Sequence, residues 1–103
     1  MAQREVGMME LLGLMTRTVG RRRSMVMLGA SIVCGVYGAK EWPEVIAALR
    51  DMGYSIASVY NLRADFQAVA VVVAEAEGEP VSWMAVMDRC RREAGQYTVL
   101  DCT

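Results

Sequence analysis

Two long stretches with almost no charge constrain the fold of this chain more than any other feature of its sequence. Residues 25–39 contain no Asp, Glu, Lys or Arg, and residues 66–76 contain only Glu75. Both stretches are rich in valine, alanine and other small or β-branched residues, a pattern typical of strands buried on both faces. We therefore expect strands at about residues 25–36 and 66–76.

The remaining segments complete an alternation of strands and helices. Residues 54–62 alternate with period two, which predicts a strand joined to residues 66–76 through a turn at residues 63–65. Helical spacing of apolar residues predicts one helix that begins at Pro43 and is ended by Gly53. A second helix should begin at Pro80, or with Ser82 as its cap, and end at Gly95. Residues 97–102 are expected to form a last short strand.

This order of elements predicts an α+β domain of the ferredoxin-like βαββαβ type over residues 24–103. Such a domain is a four-stranded antiparallel sheet with both helices on one face. Residues 1–23 should precede it as an amphipathic helix over about residues 2–19, stopped at Gly20 and followed by a basic turn at residues 21–23.

The free face of the predicted sheet suggests an interface. Because residues 66–76 are apolar on both faces, the face without helices should meet the N-terminal helix, a second copy of the chain or another protein. The residues expected at that interface are Val69, Val71, Val73, Met8, Leu12 and Met15.

Composition narrows the classes of function. Eleven basic and twelve acidic residues give a net charge of −1, which disfavours nucleic acid as a partner. Three cysteines, Cys34, Cys90 and Cys102, with no histidine, support neither a disulfide framework nor a zinc site. We expect reduced thiols in a cytoplasmic protein with no metal, no cofactor and no catalytic residues, since no base is present to activate a cysteine.

The segment from Trp42 to Asp101 resembles the ACT-type regulatory domain. The resemblance is carried by a predicted helix that ends in Gly-Tyr-Ser-Ile, at residues 53–56, and runs into Ala-Ser-Val-Tyr, at residues 57–60. ACT-type domains pair side by side and bind small ligands, often amino acids, in the loop between the first strand and the first helix. The resemblance therefore implies a small-molecule site at Gly38, Lys40, Glu41 and Trp42.

Two further alternatives remain open. Residues 61–65 and 69–78 look like the Asn-containing turn and third strand of acylphosphatases, but Lys40 or Trp42 stands where that family needs an arginine to hold phosphate. The fifteen apolar residues 25–39 after three arginines imitate a short membrane anchor, although a helix of that length reaches only about 22 Å. We expect a self-associating interaction module, with an ACT-like sensor, a degenerate acylphosphatase-like enzyme and a membrane-anchored subunit as alternatives.

Overall fold

The chain folds into a bundle of five α-helices. The computed structural model describes the backbone of residues 5–102 and the side chains of residues 5–94, and no strand occurs in this part of the chain. The helices are α1 (Met8–Val19), α2 (Arg21–Tyr37), α3 (Trp42–Asp51), α4 (Ile56–Glu77) and α5 (Trp83–Cys102). Each of them contributes buried side chains to one continuous apolar core.

The predicted ferredoxin-like α+β domain, and with it the ACT-type resemblance, is wrong. The two charge-poor stretches do become the two central elements, because α2 and α4 each contact all four other helices. They are helices rather than strands, however, and residues 54–62, 63–65 and 66–76 lie almost entirely within α4. A continuous apolar run is equally typical of a buried strand and of a buried helix, so the run alone could not separate the two.

Local sequence explains why α4 is one long helix. No Gly or Pro occurs between Gly53 and Gly78, so nothing between them favours the turn of a hairpin. Ser55 caps the N-terminus, its side chain accepting the backbone N–H of Ser58 at 3.1 Å, and Gly78 ends the helix with φ +78°. The buried apolar residues recur at helical spacing on one side of α4: Val59, Leu62, Phe66, Val69 and Val73.

The shorter helices follow the sequence more closely. The helix predicted from Pro43 is confirmed as α3, and Gly53 has the positive φ, +97°, expected just beyond its end. Ser82 is the residue that caps α5, accepting the backbone N–H of Ala85 at 3.1 Å. The predicted stop at Gly95 is wrong, because the backbone continues as helix to Cys102 where a strand was expected. The N-terminal helix is confirmed but begins at Met8; residues 2–4 lie outside the described residues.

A buried ion pair fixes the end of α4 against α5 and the segment before α1. Both guanidinium Nη atoms of Arg89 donate to the carboxylate of Glu77, one of them at 3.0 Å, and the side chain of Glu77 is only 1% exposed. The same carboxylate accepts the backbone N–H of Val6 at 2.7 Å. The hydrogen bond to Glu77 raises the pKa of Arg89 further, so the guanidinium stays charged. The carboxylate of Glu77 therefore joins three segments: the end of α4, the helix α5 and the residues before α1.

Removal of that carboxylate is expected to destabilise the bundle strongly. Glu77→Ala should lower the free energy of unfolding by about 3–5 kcal/mol, because it leaves the largely buried Arg89 guanidinium with only a 3.7 Å contact to the exposed Glu5 and removes the acceptor of the Val6 N–H. Asp88→Ala, which breaks only exposed pairs with Arg91 and Arg92, is the control and should cost less than about 1 kcal/mol. Urea titration of both variants measures the difference, and equal losses would contradict this role of Glu77.

The close approach of α2 and α5 depends on a residue without a side chain. A Cβ atom at Gly35 would overlap Cδ of Arg91 and lie 2.9 Å from its Cγ. At Gly29, in the same helix, a Cβ atom would meet nothing within 4 Å. Packing therefore requires glycine at position 35, although glycine weakens a helix. Packing within the bundle imposes no such requirement at position 29.

We expect Gly35→Ala to destabilise the wild-type protein and to stabilise an Arg91→Ala variant. The second effect should be up to about 1 kcal/mol, since alanine favours helix over glycine by that amount once the obstructing side chain is gone. Gly29→Ala, measured at low protein concentration, is the control and should stabilise both backgrounds. Thermal unfolding followed by circular dichroism checks the sign, and the same sign for Gly35→Ala in both backgrounds would contradict the packing argument.

Candidate interaction surface

The outer side of α2 carries a continuous row of apolar residues in contact with solvent. We call Met25, Gly29, Ile32 and Val36 the α2 stripe; their spacing of four, three and four residues puts them on one side of a helix. The side chains of Met25, Ile32 and Val36 are 62%, 39% and 79% exposed. Large exposed apolar side chains are normal when scattered, whereas a contiguous row of them is typical of a binding surface.

The opposite side of α2 is buried, so the helix is apolar around its circumference. Met27, Ala30 and Cys34 lie in the core at 2% exposure or less. The two serines of the helix are also on the inside: Ser24 and Ser31 are buried, and each hydroxyl donates to a backbone carbonyl four residues earlier. A helix that is apolar all round is normally covered on every side, and in this fold one side of α2 is not.

Charged groups lie at the two ends of the stripe and differ in sign. The basic turn predicted at residues 21–23 is the first turn of α2. There Arg23 pairs with the buried carboxylate of Asp65 on α4, with Nε donating at 3.1 Å, while Arg21 and Arg22 flank Met25 in a shallow groove closed by Tyr54.

Beyond the other end of α2 the surface is acidic. Glu44 and Asp51 on α3 line a shallow depression with Tyr37. The hydroxyl of Tyr37 donates to Asp51, and this hydrogen bond raises the pKa of the tyrosine. Glu41, the N-cap residue of α3, precedes Glu44 by three residues and is also exposed. Within the described residues, Arg21, Arg22, Glu41 and Glu44 have no ion-pair partner.

The small-molecule site expected between residues 38 and 42 is not assembled as one pocket. Lys40 lines a cleft of about 370 Å³ between α2 and the start of α5. Trp42 instead packs edge-on against Trp83, with ring centroids 5.4 Å apart. Gly38 is the left-handed residue that ends α2, with φ +68°, and Glu41 precedes α3. The four residues thus serve different parts of the fold.

The residues predicted at a sheet interface are divided between the core and the surface. Val69, Val73 and Met15 are fully buried, whereas Val71 is 61% exposed. Met8 is half-buried, and Leu12 is partly buried against the core. Because the described residues form no sheet, a free sheet face cannot supply the predicted interface.

The acylphosphatase-like motifs also fall on helices. Asn61 lies on the exposed side of α4 rather than in a turn. Gly35, whose segment Gly35-Val36-Tyr37-Gly38 resembles the glycine-rich loop of acylphosphatases, is packed against Arg91 inside the α2–α5 contact. Neither residue stands in a loop whose backbone N–H groups could surround a phosphate.

The buried thiols of Cys34 and Cys90 are poor nucleophiles. Burial raises the pKa of Cys34 to about 11 and that of Cys90 to about 12, so both are protonated at neutral pH. Cys90 Sγ contacts Met15 Sδ at 3.7 Å, as expected for a thiol that packs as a small apolar group. The side chain of Cys102 lies outside the described residues.

An aromatic cluster joins the starts of α3 and α5 to α4. The guanidinium of Arg63 lies 4.8 Å from the Trp42 ring and 5.6 Å from the Trp83 ring, and Tyr60 packs against Trp42 at 5.8 Å. Such cation–π contacts each contribute about 0.5–1 kcal/mol at exposed sites. Because the cluster already holds its own cation, its clearest role is to stabilise the junction of three helices.

Comparisons with known proteins add no family assignment. The chain matches no family model, no curated protein and no solved structure. Among the described residues, no group of three or more potential metal ligands comes together. Within the same part of the chain, α4 is the one helix long and apolar enough to cross a membrane by length and composition, and its inner side, including Phe66 and Val73, is buried in the bundle. The α2 stripe is therefore the strongest candidate for a functional surface.

Sequence reasoning misses this surface because the apolar run at residues 25–36 predicts a strand. The spacing of Met25, Gly29, Ile32 and Val36 was the available signal, together with Gly20 and Gly38, which bound α2 at both ends and have positive φ. A strand of twelve residues would also have been unusually long.

Alkaline pH should destabilise the protein through its two buried thiols. In the unfolded chain both titrate near 9.0, whereas the folded values are about 11 and 12, so above pH 9 the unfolded state loses protons that the folded state keeps. The free energy of unfolding should then fall by about 1.4 kcal/mol per pH unit per thiol up to the folded pKa.

Urea titrations between pH 8 and pH 11 measure this slope. Cys34→Ala and Cys90→Ala should each make it shallower, whatever their effect on stability at pH 8. Slopes in both variants equal to that of the wild type would show that the thiols do not carry the pH dependence.

Proposed function

We propose that this protein is a non-catalytic interaction module that associates with a second copy of itself through the α2 stripe. The observation that carries the proposal is the exposure of Met25, Ile32 and Val36 on a helix whose other side forms part of the core. Burial of each such side chain against a partner stabilises the complex by about 1.5–3 kcal/mol before the costs of association are counted.

The form of the stripe favours a reversible complex. The stripe is part of a rigid helix anchored in the bundle, so little backbone ordering opposes binding. Four positions on one helix bury less than the roughly 800 Å² per partner of a standard stable interface. We therefore expect a monomer–dimer equilibrium in the micromolar range rather than an obligate dimer.

Val36→Asp tests the proposal against a matched control. This change places a charge in the stripe and should raise the dimer dissociation constant at least about tenfold, because a carboxylate is costly to desolvate against apolar groups. Val71→Asp makes the same substitution at an exposed valine of α4, 61% exposed, and should leave the dissociation constant within about twofold.

Sedimentation equilibrium across a wide concentration range measures both constants, with circular dichroism to verify the fold. The wild-type mass should approach twice the 11.4 kDa of the chain as concentration rises. A wild type that stays monomeric throughout would overturn the proposal, and so would equal effects of the two substitutions. A monomer that binds anionic lipid vesicles through Val36 would overturn it in favour of a membrane surface.

A further inference from the structure

Charged side chains of opposite sign lie at the two ends of the α2 stripe, and they form no ion pairs among the described residues. Arg21 and Arg22 flank its N-terminal end, and Glu41 and Glu44 follow its C-terminal end. All four side chains are exposed and have no ion-pair partner among the described residues. The neighbouring charges do not cancel this difference, since Arg23 is paired with Asp65 and the three acidic residues of segment 38–51 outnumber its two basic residues, Lys40 and Arg50.

The apolar residues between these ends are nearly symmetric about the middle of the helix. Met25 and Val36 are about 16 Å apart at 1.5 Å per residue, and the midpoint falls between Ala30 and Ser31. When a second α2 lies antiparallel across this midpoint, Met25 of one copy faces Val36 of the other. Gly29 then faces Ile32, and both contacts occur twice, as an isologous twofold interface requires.

Gly29 provides space at the right place for this arrangement. A Cβ atom there would meet nothing within 4 Å in the monomer, so the position is open to solvent rather than filled by a neighbouring helix. Ile32 is a β-branched side chain that is 39% exposed. Packing one such residue over a glycine lets the two helices approach closely, as small residues do at helix crossings.

Orientation decides whether the charges attract or repel. In an antiparallel pair, Arg21 and Arg22 of one copy lie at the same end as Glu41 and Glu44 of the other, at both ends of the interface. In a parallel pair, arginine meets arginine and glutamate meets glutamate, which is unfavourable.

We propose that two copies of this chain pair antiparallel through the α2 stripe, with the arginines at the start of α2 in one copy facing the glutamates at the start of α3 in the other. This inference rests on the proposed function and adds the orientation and the electrostatic selection of the partner. Long-range attraction at both ends also predicts that salt weakens the dimer, because screening at 0.5 M reduces interactions between exposed charges.

Charge reversal with mixing tests the orientation. The basic-end variant carries Arg21→Glu and Arg22→Glu, and the acidic-end variant carries Glu41→Lys and Glu44→Lys. Each variant alone should dimerise at least about tenfold more weakly than the wild type, because like charges then meet at both ends. An equimolar mixture should regain dimerisation to within about threefold, since every contact in the mixed dimer joins opposite charges.

Glu75→Lys, on the exposed side of α4, is the control for a change in net charge and should leave dimerisation unaltered. Circular dichroism verifies each fold, and Glu41→Gln with Glu44→Gln replaces the acidic-end variant if lysine disturbs the start of α3. That neutral variant should weaken the homodimer about threefold or more.

The outcomes separate this inference from the proposed function. Weaker dimerisation of each variant alone than of the wild type, together with recovery in their mixture, supports antiparallel pairing, because a parallel wild type would already bring like charges together at both ends. Dimerisation that is stronger between the wild type and the basic-end variant than in either alone indicates parallel pairing and overturns the inference, while the proposed function stands. Sensitivity to Val36→Asp with no effect of charge reversal also overturns the inference alone. A monomeric wild type overturns both.

Discussion

The structure depends on the fact that α2 is apolar around its whole circumference while the bundle covers only one side of it. Beyond Arg23 the helix has no charged residue as far as Tyr37, and its two serines are turned inward and satisfied by its own backbone. The buried side supplies Met27, Ala30 and Cys34 to the core. The uncovered side leaves apolar surface in water, and a second copy of the same surface is the partner that its symmetry and its charges fit.

Polar anchors hold the bundle so that this side stays exposed. Asp65 receives Arg23 and ties the start of α2 to the middle of α4, while Glu77 ties the end of α4 to Arg89 of α5 and to Val6. These contacts are directional, unlike the apolar contacts around them, and a buried charge without its partner is costly. They therefore specify which faces meet in a core whose residues are otherwise interchangeable in chemistry.

The sequence allows some of this structure to be predicted, and the limits have physical causes. The helix α3 and the buried side of α5, with Val86, Met87, Cys90 and Ala94, were predictable because polar residues mark the outer faces of these helices. The sequences of α2 and α4 predict strands because valine-rich runs fit both states, and only tertiary packing selects between them.

Two signals in α4 favoured the helix: the absence of Gly and Pro from 54–77, and the regular recurrence of its buried residues. The candidate surface was harder to predict, since an all-round apolar helix does not show in its sequence which side will face solvent. The pattern of polar residues that marks an outer face in α3 has no counterpart in α2.

The most direct test of the central claim is a dilution series followed through the methyl resonances of the protein in two-dimensional NMR spectra. If two copies meet at the outer side of α2, the methyl signals of Met25, Ile32 and Val36 shift with protein concentration. On dilution, all three should approach the chemical shifts of the monomer over the same concentration range. The methyl signals of Val71, which is 61% exposed on α4, stay constant. Constant signals throughout α2, or concentration-dependent shifts centred on α4, would contradict the account.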